Sequence, residues 1–185
     1  MYEEAARATG RALVRSGLRL VYGGGKVGLM GVLADTVLSA GGHITGVMPR
    51  ALVEREIAHP SVKDLRVVQT MHERKQLMAD LGDAFVALPG GAGTLEEIFE
   101  QWTWSQLGIH RKPCGFLNVN SYFTPLLAMI ERMVAEGFLS APLATMLAVE
   151  DTPDRLLARF RCYQPPTQKW SITGSPKQVS NASNE

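Results

Sequence analysis

Two glycine-rich turns and one charged stretch carry the residues best suited to chemistry. Pro89-Gly90-Gly91-Ala92-Gly93-Thr94-Leu95-Glu96-Glu97 follows an apolar run and opens a helical one. Gly90, Gly91 and Gly93 let the backbone come close to a ligand, and Thr94 adds a hydroxyl. A helix start favours an anion, because its first N–H groups have no intrahelical acceptor and the helix dipole is positive there. The pattern reads as a phosphate cradle with carboxylates one turn further on. The same spacing has a purely structural use. Thr94 and Glu97 stand at capping-box separation, so Glu97 is equally a candidate for holding the helix start.

Gly23-Gly24-Gly25-Lys26-Val27-Gly28 formally matches the dinucleotide pattern G-x-G-x-x-G. That pattern needs an acidic residue at the end of the next strand to hold a ribose hydroxyl. No Asp or Glu lies between Asp35 and Glu54, so a nicotinamide enzyme loses its key partner. A Walker A loop fails as well, because Val27 stands where Ser or Thr is required. Two readings remain for this turn: a phosphate-binding helix start, or a tight turn with close helix packing. Both glycine turns sit beyond the carboxyl ends of strands, where open parallel sheets bind ligands. Between them lies Met71-His72-Glu73-Arg74-Lys75-Gln76-Leu77-Met78. Arg74 and Met78 share a helix face, and Lys75 lies about 100° further round. Arg74 suits a phosphate or a base as a planar fork, or it belongs to a solvated face. His72 reads as a surface residue. Two scattered cysteines and no His-x-x-x-His pair indicate no metal site.

The elements that must position these residues alternate. Helical patterns run over 2–16, 28–40, 71–81, 95–107 and 122–136, with Thr70 and Glu73 as a capping-box pair. Strand patterns run over 18–22, 43–48, 65–69, 84–88, 114–119 and 147–149, and the apolar run at 84–88 predicts a fully buried parallel strand. Thr152 and Pro153 open a last helix. This alternation predicts an α/β fold, an open parallel sheet with helices on both faces.

The chain has 185 residues, 45% of them apolar and 20% charged, which suits one globular domain over 1–162. From 163 to 185 Pro, Ser, Thr, Gln and Asn dominate, and this tail is expected to be disordered. A net charge of +1 gives no support for a nucleic-acid or membrane-surface binder. No run of residues suits a membrane span, and no secretory signal is expected. Two cysteines, Cys114 and Cys162, point to a reduced, cytoplasmic compartment.

These blocks together resemble the LONELY GUY (LOG) family of cytokinin-activating enzymes. The matching residues are Tyr22 to Gly25 with Gly28-Leu29-Met30-Gly31, Gly46 to Pro49, Glu56 to His59, Met71 to Lys75, Pro89 to Glu97 (the family's P-G-G-x-G-T-x-x-E) and Trp102 to His110. The resemblance runs from about Tyr2 to Phe160. It implies a Rossmann-like fold, a homodimer and a phosphoribohydrolase. Such an enzyme releases a free base from a nucleoside 5′-monophosphate of the AMP or isopentenyl-AMP type and needs no cofactor. Arg74 and Glu97 then match the catalytic arginine and glutamate. Glu56, Lys75, Gly91, Ala92, Gly93, Thr94, Leu95, Glu96 and Thr103 match substrate-contacting positions. Some older descriptions call such proteins lysine decarboxylases, but no pyridoxal-phosphate lysine site is visible in the sequence. Family members usually begin with a further strand before the Tyr2 helix. Without it the sheet is expected to carry unpaired edges and the nucleotide site to lose one wall. That departure keeps an alternative in view: a protein that holds a phosphorylated ligand without cleaving it, as molybdenum-cofactor carriers do, or an inactive member.

Overall fold

The computed structural model describes residues 1–55 and 57–165. Glu56 and the tail from residue 166 onward lie outside the described residues. The helices are α1 (Tyr2–Arg15), α2 (Gly28–Ser39), α3 (Arg50–Val53), α4 (Met71–Leu81), α5 (Ala92–Gln106), α6 (Thr124–Ala135), α7 (Ala141–Ala144) and α8 (Pro153–Arg161). The strands are β1 (Leu20–Tyr22), β2 (Ile44–Pro49), β3 (Asp64–Val68), β4 (Phe85–Ala87), β5 (Cys114–Leu117) and β6 (Leu147–Glu150). The short α3 and α7 carry no apolar periodicity long enough to announce them in sequence.

All strand pairs are parallel, but the sheet is divided into two halves, ordered β1-β2-β3 and β4-β5-β6. Among the described residues, strands β1 and β4 are each paired on one side only. Leu20 and Val21 of β1 and Phe85 and Val86 of β4 line one cleft of about 640 Å³, together with Leu13, Leu156 and Phe160. The unpaired edges expected above are present. They also correct one expectation: β4 is half-buried, because Phe85 and Val86 look into the cleft and only Ala87 is fully covered.

Each half has its own core. Phe116, Cys114, Ala87, Ile98, Trp102 and Phe123 pack between β4-β5-β6 and the helices α5 and α6. The Phe116 and Phe123 rings stand 4.7 Å apart. The Trp102 indole N–H donates to the Leu143 carbonyl at 3.1 Å, so burial leaves its one donor satisfied. In the other half Leu20, Leu33, Val37 and Ile44 pack with Ala6 of α1. Helix α1 touches both α2 and α8, which ties the halves together on one face. On the other face α4 lies over β1, β2 and β3, whereas α5 lies over β4 and β5. The boundary between α4 and α5 is therefore the boundary between the half-sheets. The Thr70–Glu73 pair forms as expected at the start of α4. The Thr70 hydroxyl accepts from the Glu73 N–H at 3.1 Å, and the Glu73 carboxylate accepts from the Gln69 N–H at 2.8 Å.

Candidate active site

The second glycine turn closes differently from its spacing. Helix α5 begins at Ala92, three residues before the expected start at Leu95. Its N-cap is Gly91, and no side chain caps it. Thr94 is thus the third helical residue, and the Thr94–Glu97 capping box does not form. The amides of Ala92, Gly93 and Thr94 are left without intrahelical acceptors. A Cβ on Gly91 or Gly93 would meet nothing within 4 Å, so the chain itself does not require glycine there. The turn faces open space, as a cradle for an external anion must. Leu95 is different: its side chain packs into the core, leaving only its backbone to the site.

Freed from capping, Glu97 faces Arg74 of α4. Arg74 Nη1 lies 3.4 Å from Glu97 Oε1, and the Arg74 side chain is only 12% exposed. Its Nε donates to the Val47 carbonyl of β2 at 3.2 Å. Burial pushes the Glu97 carboxyl above the usual glutamate range, Arg74 pulls it back, and neighbouring Glu96 pushes it further up. The pair joins the two half-sheets at their carboxyl ends. Thr94 and Glu97 line a small pocket of about 140 Å³ beside β4, which Lys75 also reaches.

Lys75 is held from the α5 side. Its ammonium is ion-paired with Glu96 and, at 2.9 Å, with Glu100. The hydrogen bonds it donates to Glu96 and then Glu100 hold it above the ordinary lysine range. Glu100 belongs to no motif in the sequence, although its spacing from Glu96 and Glu97 puts it on their helix face. The Val47 carbonyl and the Tyr122 hydroxyl, which donates to the Gly90 carbonyl at 2.7 Å, carried no sequence signal either. Thr103 stands six residues beyond Glu97, about 9 Å along the helix. Its hydroxyl donates to the Phe99 carbonyl at 2.7 Å. Arg74, Lys75, Glu96, Glu97 and the turn from Gly91 to Thr94 are thus brought together. Thr103 stands apart, and Glu56 lies outside the described residues. His72 is exposed, and among the described residues no group of three His, Cys, Asp or Glu is placed to hold a metal.

A family model described as "Possible lysine decarboxylase" matches residues 30–160. A protein of Oryza sativa named "Probable cytokinin riboside 5'-monophosphate phosphoribohydrolase" is 49% identical over 163 residues, covering 88% of this chain and 73% of that protein. The Rhodococcoides fascians protein named "Cytokinin riboside 5'-monophosphate phosphoribohydrolase" is 55% identical over 140 residues, covering 75% of this chain and 71% of that protein. The chain belongs to the LOG family. Among solved structures, a molybdenum cofactor binding protein from Rippkaea orientalis is similar, with a TM-score of 0.66 and 19% identity over 87% of this chain and 86% of that one. That likeness shows the Rossmann-like fold of the LOG chain. Within this family fold the Arg74–Glu97 pair and the uncapped turn occupy the crevice where open α/β sheets place ligands.

Proposed function

We propose that this LOG-family chain is a phosphoribohydrolase that cleaves (N6-substituted) adenosine 5′-monophosphate to free base and ribose 5-phosphate. One observation carries the reading: a half-buried carboxylate, Glu97, is paired with Arg74 one turn from a helix start whose first amides are free. The names of relatives up to 55% identical support it. The amides of the turn and the Thr94 hydroxyl hold the 5′-phosphate, and this fixes C1′ relative to Glu97. Cleaving the N9–C1′ bond builds positive charge on the ribose and negative charge on the purine. The Glu97 carboxylate stabilises that cation and orients the attacking water. The water oxygen bonds to C1′, the N9–C1′ electron pair leaves with the base, and the water's proton ends on the base. Arg74 holds Glu97 in its ionised form and faces the departing anion. Glu56, Lys75 and Glu96 complete the substrate contacts in this reading.

Lys75 argues against decarboxylation through a Schiff base. Lysines used in that way are held below their ordinary pKa, and two carboxylates hold Lys75 above it. We place the enzyme in the cytoplasm as a homodimer that binds neither nucleic acid nor membrane. Free Cys114 and Cys162, the near-neutral charge and the exposed Leu107 and Ile109 after α5 support this. Among the described residues no helix is long and apolar enough to cross a membrane.

Incubation with AMP and with isopentenyl-AMP, followed by chromatography, tests the reaction. The expected result is free base and ribose 5-phosphate in equal amounts. Recovery of intact nucleotide bound to the protein would instead make the chain a carrier of phosphorylated ligands.

A further inference from the structure

The proposed reaction leaves the first glycine turn without a role. Gly23 follows β1 directly. A Cβ built on it would lie 1.9 Å from Arg74 Nη2 and 3.1 Å from Arg74 Cζ, and the three nearest atoms all belong to Arg74. The guanidinium therefore rests on the bare Cα of Gly23. Its Nε is fixed by the Val47 carbonyl at 3.2 Å, and its Nη1 reaches Glu97 at 3.4 Å. Gly23 is not among the glycines with positive φ, so backbone freedom does not explain it. Nor is the turn arranged as a free anion cradle. The Lys26 N–H donates to the Ile57 carbonyl at 3.1 Å, and the Gly24 carbonyl accepts from the His59 N–H at 2.8 Å. The polar groups of the turn are thus partly committed to the 57–59 segment.

We propose that Gly23 is a positioning residue: its missing side chain forms the seat of the Arg74 guanidinium and, with the Val47 carbonyl, aims that group at Glu97. The proposal rests on the reading of Arg74 and Glu97 as the reacting pair. It reassigns the first glycine turn from ligand binding to the shaping of a catalytic side chain. It also explains why the bareness matters at the first glycine. An alanine there suits the backbone, and the atom it displaces is the far end of a flexible side chain. The chain folds and only the arginine moves.

Gly23→Ala tests this. The expected kcat for base release from AMP falls by about tenfold or more, with KM changed by less than about twofold. Gly23→Ala combined with Arg74→Ala is no slower than Arg74→Ala alone, because both remove one interaction. A second readout needs no turnover. Carbon-13 NMR of the Glu97 carboxyl should show its titration moved to higher pH in Gly23→Ala, as in Arg74→Ala, since the guanidinium is what pulls it down. Wild-type kcat with an unmoved Glu97 titration overturns the proposal. So does a loss confined to KM that adds to that of Arg74→Ala, which returns the turn to phosphate binding. If the unaltered chain releases no base, the proposed reaction fails, and the Glu97 titration still decides the role of Gly23.

Discussion

Glu97 is half-buried and kept charged by a neighbour. Burial and Glu96 raise its pKa, and Arg74 opposes them. In the proposed reaction the ionised form is the working form, so activity should fall as pH drops through this raised value. The acid limb of kcat should lie above the ordinary glutamate pKa of about 4.3. Arg74→Ala should move that limb to still higher pH, which a pH–rate profile on residual activity will show. The sign for stability is the reverse of the common carboxylate case. A pKa raised on folding stabilises the fold below the unfolded value and loses that contribution as pH rises through the folded value. Glu97→Gln should therefore melt higher than wild type at pH 7 and alike near pH 4, as read by calorimetry. Arg74 and Glu97 were both legible in their motifs. That Arg74 holds the carboxylate was one option among several, because the choice depends on how α4 and α5 meet across the half-sheets. The helical angle between Arg74 and Lys75 likewise said nothing of Glu96 and Glu100, which face Lys75 from the next helix.

At the scale of the element, α5 is a helix left unfinished at its start. Capping side chains at such a position stabilise by about 1 kcal/mol over alanine and by only a few tenths of a kcal/mol over glycine, and Gly91 supplies none. The backbone at Gly91 is extended (φ −89°, ψ −159°), which other residues adopt readily. Gly91→Asp should then cap α5 and raise Tm, yet set a carboxylate where the proposed reaction puts the phosphate. KM for AMP should rise at least about tenfold, since an anion at the helix start is what the free amides attract. Unchanged KM together with a raised Tm would move the phosphate away from this turn. The sequence placed the start of α5 at Leu95 because Thr94 and Glu97 imitate a capping box. At α4 the equivalent pair, Thr70 and Glu73, forms one. What separates the two is where the helix begins: α4 starts directly after Thr70, whereas α5 starts at Ala92 and takes Thr94 into its first turn, and spacing alone does not reveal that.

At the scale of the molecule, the alternation of strands and helices was readable because each element carries its own period and stop signals. The division of the sheet into halves is a matter of which strands meet. Local pattern is silent on that, and the likeness to a family supplied the expectation. The candidate site straddles the division, with Arg74 on one half and Glu97 on the other, so in the proposed reaction α1, α4 and α5 keep the halves in register. Edge pairing on one side only has a measurable consequence. Amides of β1 and β4 that point into the cleft should exchange with solvent faster than those of the central strands β2 and β5. Equal protection across all four strands, measured by hydrogen exchange, would mean that the cleft is closed in solution.

Single-turnover base release from AMP by Glu97→Gln tests the central claim most directly. The rate should fall by at least about 100-fold, as when a group that stabilises transition-state charge is removed, while AMP still binds within about threefold of wild-type affinity. A folded Glu97→Gln chain that releases adenine at the wild-type rate would contradict the account.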